Sequence, residues 1–141
     1  PTKLGHVQGS ITFTQEEGGI RVQAQLSGLT PGRHGFHVHE LGNISKDDGT
    51  GCGGHFNPHG AQHGDVSADM RHVGDLGNIE ADAEGKAIYE RLDTQLSFHG
   101  SNNILGRGLI VHEKADDFGQ PVGNAGGRVA QAVIGIAEIA Q

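Results

Sequence analysis

The 141-residue chain contains a single cysteine, a single methionine and no tryptophan, and aromatic residues make up only 4% of it. With Cys52 alone, no intramolecular disulfide can form. That leans towards a reducing compartment such as the cytosol, and it leaves open a secreted or excised extracellular domain that does without disulfides. No stretch approaches the roughly 18–20 apolar residues of a membrane span. Lysine runs and basic amphipathic segments are missing as well, and the net charge is −7, so nucleic acid is not expected as a partner. No start methionine or signal peptide opens the chain, and Pro1 reads as a processed, trimmed or excised start. There is no internal repeat and no heptad pattern.

Glycine and histidine are plentiful, at 25 and 10 residues. Many glycines with few aromatics favour short strands joined by turns over a helical bundle, and the length suits one domain, residues 1–141. Residues 7–15 and 20–28 alternate apolar and polar side chains around Glu16-Glu17-Gly18-Gly19, the pattern of a β-hairpin. Short strands are expected again at 35–40, 86–91, 107–112 and 128–137. From Leu41 to Leu76 strand signals nearly vanish, and Leu76 to Ala83 reads as turn-rich. The fold expected is all-β: a Greek-key β-sandwich or flattened barrel of immunoglobulin-like type with long metal-binding loops.

His55, His63, His72 and Asp75 fall within one loop-like segment. Three imidazoles and a carboxylate in reach of one ion suit tetrahedral zinc, and an ion would organise a long loop that has no core of its own. His37 and His39 lie two apart on a strand and so project to one face, with Phe36 and Val38 directed to the core. With His112 from a second strand they offer an all-imidazole site, for which copper is the tightest first-row divalent occupant. His55 can belong to both sites, because a deprotonated imidazole has two nitrogens with which to join two ions.

Five segments carry a resemblance to the copper/zinc superoxide dismutases: GFHVHE at 35–40, GHFNP at 54–58, RHVGDLGNIEAD at 71–82, GRGLIVHEKADD at 106–117 and GNAGGR at 123–128. The resemblance runs from Val7 to Glu138. It implies the sandwich architecture and electrostatically steered kinetics for which that family is known, with copper on His37, His39, His55 and His112, and zinc on His55, His63, His72 and Asp75. Asp116 matches a carboxylate that holds one copper ligand and one zinc ligand at once, and Arg128 matches the arginine beside the open copper position. The implied reaction is disproportionation of superoxide to oxygen and hydrogen peroxide by Cu(II)/Cu(I) cycling, with Arg128 attracting the anion. His55 would release copper and take up a proton in the reduced half-cycle. The other readings are a dismutase-like copper carrier or copper-chaperone domain without significant turnover, and a module of a longer extracellular chain. His6, His34, His59 and His99 match no family ligand and are read as solvated loop histidines, His34 facing away from the metal.

The chain departs from the family's pattern in four places. Gln131 stands where the partner of Cys52 would be, so the loop before His55 needs another hold, and metal binding is the first candidate. Residues 41–51 are longer than usual, which puts the family-type dimer in doubt and leaves homo-oligomerisation open. Residues 118–122 replace a longer charged segment whose lysines would guide superoxide, so a more open site with weaker steering is expected. At the amino end, Pro1 to His6 stand where a turn and a full first strand would be, so that strand is missing or shortened.

Overall fold

The computed structural model describes residues 2–137; Pro1 and residues 138–141 lie outside the described range. Seven strands form one curled antiparallel sheet in the order β1-β2-β5-β4-β3-β6-β7. They are β1 (Gln8–Glu16), β2 (Gly19–Ser27), β3 (Gly32–His39), β4 (Asp75–Ala81), β5 (Ala87–Asp93), β6 (Gly108–His112) and β7 (Arg128–Val133). β3, β4 and β5 follow one another in space, and β2 returns beside β5, which is a Greek key. The period of two seen in the sequence is realised on β2, where Ile20, Val22, Ala24 and Leu26 are all buried. Opposite them sit Phe36, Val38, Leu76 and Ile79. The Phe36 ring meets Tyr89 edge-on, with centroids 5.1 Å apart, and the half-buried Tyr89 hydroxyl donates to Leu76 O at 2.9 Å.

Two expectations are corrected. Residues 76–83 are not merely turns, because β4 occupies Asp75–Ala81 and pairs with β3. Gly77, Asn78 and Asp75 have low strand propensity, and the pairing comes from burial between two neighbours, which local sequence does not report. At the other end β7 stops at Val133, and residues 134–137 are not a strand. Ile134 instead bonds back to Arg107, and Gly106 to Ile134 O. Glu138, the far limit of the sequence resemblance, lies outside the described residues.

Residues 2–6 form no strand. Thr2 N–H donates to Val129 O at 3.1 Å and Lys3 N–H to Asp47 O at 2.7 Å, so residues 2–6 lie across the start of β7. The outer edges of β1 and β7 have no partner strand among the described residues. No helix of the described chain is long and apolar enough to cross a membrane.

Candidate metal centre

The register of β3 assembles the site. Its first half pairs with β4 and its second half with β6, with a bulge between Gly35 and His37. His37 thereby stands opposite both Asp75 and Ile110, so a residue of the zinc-type cluster and one of the copper-type cluster are neighbours across one ladder. His39 forms an isolated bridge with His55. The loop is laid on the strand by backbone bonds, with Phe56 N–H to Val38 O and Val38 N–H to Gly74 O, both at 2.8 Å. Arg107 stacks its guanidinium over the Phe56 ring at 3.9 Å.

Two groups of four side chains result: His37, His39, His55 and His112, and His55, His63, His72 and Asp75. In each, the donor atoms lie within 4.8 Å of one another, and all are buried. Every ligand proposed from the sequence is therefore brought together, with His55 in both groups. The His55 ring stacks on His37 at 4.0 Å between centroids. Its Nδ1 lies 3.1 Å from both His72 Nδ1 and Asp75 Oδ1, which leaves Nε2 for the other group.

The ring nitrogens divide into two sets. His37 Nε2 bonds Asp116 Oδ2 at 2.7 Å, and His63 Nε2 bonds Asp116 Oδ1 at 2.8 Å. His39 Nδ1 donates to Gly53 O at 2.8 Å and His112 Nδ1 to Gly126 O at 3.1 Å. The opposite nitrogens, His37 Nδ1, His39 Nε2 and His112 Nε2, are buried without a hydrogen-bond partner, while His63 Nδ1 faces Asp75 Oδ2 at 2.8 Å. A buried polar atom with no partner is costly, and three of them in one group of four imidazoles is the signature of an ion-binding donor set. An outer hydrogen bond on one ring nitrogen fixes the tautomer that presents the other. The donor set fits copper in the all-imidazole group and zinc in the group with a carboxylate.

Electrostatics separates the two groups. Burial pushes His37 down to about 3 and His112 down to about 4, and holds His39 and His55 below the ordinary imidazole value. Those rings are neutral, ligand-ready donors at neutral pH. Burial alone would lower His63 too, but its bonds to Asp116 and Asp75 outweigh that and raise it to about 9. Desolvation likewise opposes ionisation of Asp75, yet the contacts with His55, His63 and His72 hold its carboxyl well below the usual range. Asp116 is lowered in the same way by His37 and His63. The trio His37, His63 and Asp116 also lies within ligand distance, but its nitrogens are those already bonded to Asp116, so it is the outer support of the two sites.

Arg128 is half-buried and donates to Gly49 O at 2.7 Å and to Gly53 O at 2.8 Å. Gly53 O thus serves both Arg128 and His39. Gly53 has φ 70 and ψ −153, a conformation open to glycine and strained for other residues. At Gly123, with φ +86, a Cβ would collide with Asp116 Oδ1 and His63 Nε2, so only glycine lets that loop close on the carboxylate.

Three supporting residues escape sequence reasoning. Asn78 accepts from Asp116 N–H at 2.6 Å and donates to Asp116 O at 3.1 Å. Gln120 brackets the His63 backbone, accepting from N–H at 2.9 Å and donating to O at 2.6 Å. Gln131, in the place of a cysteine, donates to Lys46 O at 2.9 Å, so with Arg128 it ties the long loop to β7 by protein contacts as well as through any ion. Their partners are backbone atoms far away in sequence, and nothing local signals them.

The remaining histidines divide. His6, His59 and His99 are exposed as read, and His59 Nε2 meets Asn102 Oδ1 at 2.6 Å. His34 is not solvated: it is 2% exposed. Its ring is held between Thr30 O and His112 O, each at 2.7 Å, so it buttresses the backbone of the candidate ligand His112.

Comparison with known proteins agrees with this geometry. The family described as copper/zinc superoxide dismutase (SODC) matches residues 7–134. The chain is 44% identical over 145 residues to an extracellular superoxide dismutase [Cu-Zn] of Brugia pahangi, covering 94% of this chain and 71% of that protein. The chain belongs to the copper/zinc superoxide dismutase family. It is also 44% identical to the superoxide dismutase [Cu-Zn] of Paramecium bursaria Chlorella virus 1, over 95% of this chain and 75% of the relative. Among solved structures it is similar to the clock protein EA4, with a TM-score of 0.86 and 46% identity over 93% of this chain and 88% of that one. For a dismutase-family chain, filled positions at both histidine groups separate it from a fold relative that has lost its ligands.

Proposed function

We propose that this protein is a superoxide dismutase, converting two superoxide anions and two protons into oxygen and hydrogen peroxide. The observation that supports it most is the sorting of ring nitrogens on His37, His39 and His112: one on each is tied outward, and the other is buried, unpaired and turned into a shared cluster with His55. His37 Nδ1, His39 Nε2, His55 Nε2 and His112 Nε2 would hold copper. His55 Nδ1, His63 Nδ1, His72 Nδ1 and Asp75 would hold zinc. Bound copper supplies one-electron Cu(II)/Cu(I) chemistry, and bound zinc supplies fixed positive charge and loop order.

The chain's own residues supply the rest. Arg128 spends two N–H groups on Gly49 and Gly53 and retains the others of its fork for a small anion. The shared Gly53 carbonyl sets its position relative to His39. His55 can hold a proton at Nε2, the nitrogen away from His72 and Asp75, and return it. Asp116 keeps His37 and His63 in the tautomers that face inward. Superoxide, a small anion, would approach the Arg128 side.

The alternative is a dismutase-like copper carrier without turnover. Metal content and superoxide turnover measured on the same sample decide between them. The dismutase reading expects one copper and one zinc per chain, and turnover abolished by His112→Ala. Full metal loading with no turnover in the unaltered protein would favour the carrier.

A further inference from the structure

Among the described residues other than glycine, only Phe118 and Asn124 have a left-handed backbone, with φ of 63° and 55°. Asparagine visits that region readily, whereas a bulky phenylalanine is strained there. Such strain persists only where the surroundings hold it, and here they do. Phe118 N–H donates to Asp116 Oδ1 at 2.8 Å, the oxygen that also bonds His63 Nε2. Asp117 N–H donates to Gly123 O at 2.9 Å and Gly123 N–H to Gly119 O at 2.8 Å, so residues 117–123 close on themselves. Gln120 fastens the same segment to both backbone groups of His63. The Phe118 ring thereby lies against the His63 ring, with centroids 6.5 Å apart and planes 29° from parallel. The other rings around His63 are His37, His55 and His72, all of them members of the two metal groups.

Phe118 also borders open space. Among the described residues β4 and β5 pair only through Ala81 and Ala87. Where the two strands separate, a groove of about 570 Å³ opens, lined by Asp65, Gly77, Asn78 and Phe118 itself. His63 is 3% exposed and Phe118 is half-buried, so the ring stands between this imidazole and solvent. We propose that Phe118 is a gate for the zinc group: its ring closes the outer side of His63 and swings into the groove to let the ion pass. The proposal rests on His55, His63, His72 and Asp75 being the zinc ligands. Leaving the left-handed region relieves the backbone strain and favours the swing, while the bond from Phe118 N–H to Asp116 opposes it. Phe118 supplies no ligand atom and acts through His63, so it is a positioning residue. A cover of that kind raises the barrier to entry and to exit alike, and so governs how fast zinc exchanges more than how tightly it is held.

The test follows zinc rather than turnover. The 141-residue protein is loaded with copper and zinc. Zinc release into excess chromogenic chelator gives the exit rate, and equilibrium competition with the same chelator gives the affinity. Phe118→Ala removes the ring, and Phe118→Gly removes the ring and the strain together. Both should release zinc about tenfold faster or more, with affinity changed less than about threefold, so that entry quickens by a similar factor. Phe118→Trp, a wider cover with the groove beside it, should slow exit about threefold or more. That readout stands even if the smaller side chains loosen the fold. An exit rate unchanged in all three variants would overturn the proposal and place the ion's route on the His72 side. Faster exit matched by an equal loss of affinity would overturn it too, since Phe118 would then only strengthen the zinc group. An unaltered chain that takes up copper and no zinc would overturn the assignment of the zinc ligands, and that result appears before any rate is measured.

Discussion

At the level of single residues, the two metal groups differ in how their imidazoles meet protons. His37, His39 and His112 are held neutral by burial. His63 is held protonated up to about 9, because two carboxylates outweigh the burial that opposes it. Its Nδ1 lies 2.8 Å from Asp75 Oδ2, so an ion in that group takes the place of a proton. Zinc uptake should therefore release a proton, and zinc affinity should keep rising as pH climbs from about 6.5 to about 9. In the zinc-free protein copper affinity should change little above about pH 6, since the folded values of His37 and His112 lie near 3 and 4 and those rings hold no proton to displace; with zinc bound, copper would also take the place of the His55 Nε2 proton. Isothermal titration in buffers of different ionisation enthalpy would check both. An equal pH slope at the two sites would contradict the account. The ligands themselves were legible because a strand's period of two forces His37 and His39 onto one face, and because a glycine-rich stretch bearing three histidines and Asp75 has few other ways to be ordered. His34 was not legible: the carbonyls that bury it belong to Thr30 and, distant in sequence, His112.

Among the elements, β4 carries the least local signal and the most consequence. Asp75 begins it, opposite His37, so one ladder links the two metal groups. Its glycine and asparagine argue against a strand until β3 and β5 are in place around it. Alternation alone was enough for β1 and β2, where one face meets the core. The loop from Leu41 to Gly74 is held by Glu40 N–H to Gly54 O and Leu41 N–H to Cys52 O, each at 2.9 Å, and by Gln131 and Arg128. Residue substitution alone predicts a missing disulfide at Cys52; the side-chain amide that replaces its tether shows only in three dimensions. A native disulfide in a small domain is typically worth about 2–5 kcal/mol, and one amide hydrogen bond gives about 1 kcal/mol, so zinc is left with much of the ordering. Removing zinc should lower the melting temperature by about 10 °C, on the scale of about 2–4 °C per kcal/mol for a domain near 150 residues, and Gln131→Ala should deepen that loss in the zinc-free protein more than in the loaded one. A zinc-free form melting within a few degrees of the loaded form would reject this. Arg71 and Asp93, paired at 2.7 Å with both side chains buried, anchor the far end of the loop beside His72.

Across the molecule, net charge is −7, and the segment 118–122 that follows Asp116 and Asp117 carries no lysine or arginine. Arg128 is the cation placed at the site, and burial lowers its basicity without discharging it. Long-range guidance of an anion through a negative field is weak under those conditions. Superoxide turnover should fall less than about threefold between roughly 0.02 and 0.2 M salt, a range over which the screening length shrinks from about 20 Å to under 10 Å. Stopped-flow or pulse-radiolysis rates falling steeply with salt would show that steering is strong after all.

The account rests on His55 serving two ions at once, through Nδ1 on one side and Nε2 on the other. Loading copper(II) and cobalt(II) together, one of each per chain, and recording the copper electron paramagnetic resonance signal tests this most directly. A shared imidazolate should couple the two spins and broaden or abolish the isolated copper signal, with the signal restored when zinc replaces cobalt. A sharp, uncoupled copper signal in the fully loaded cobalt form would mean that His55 joins only one site.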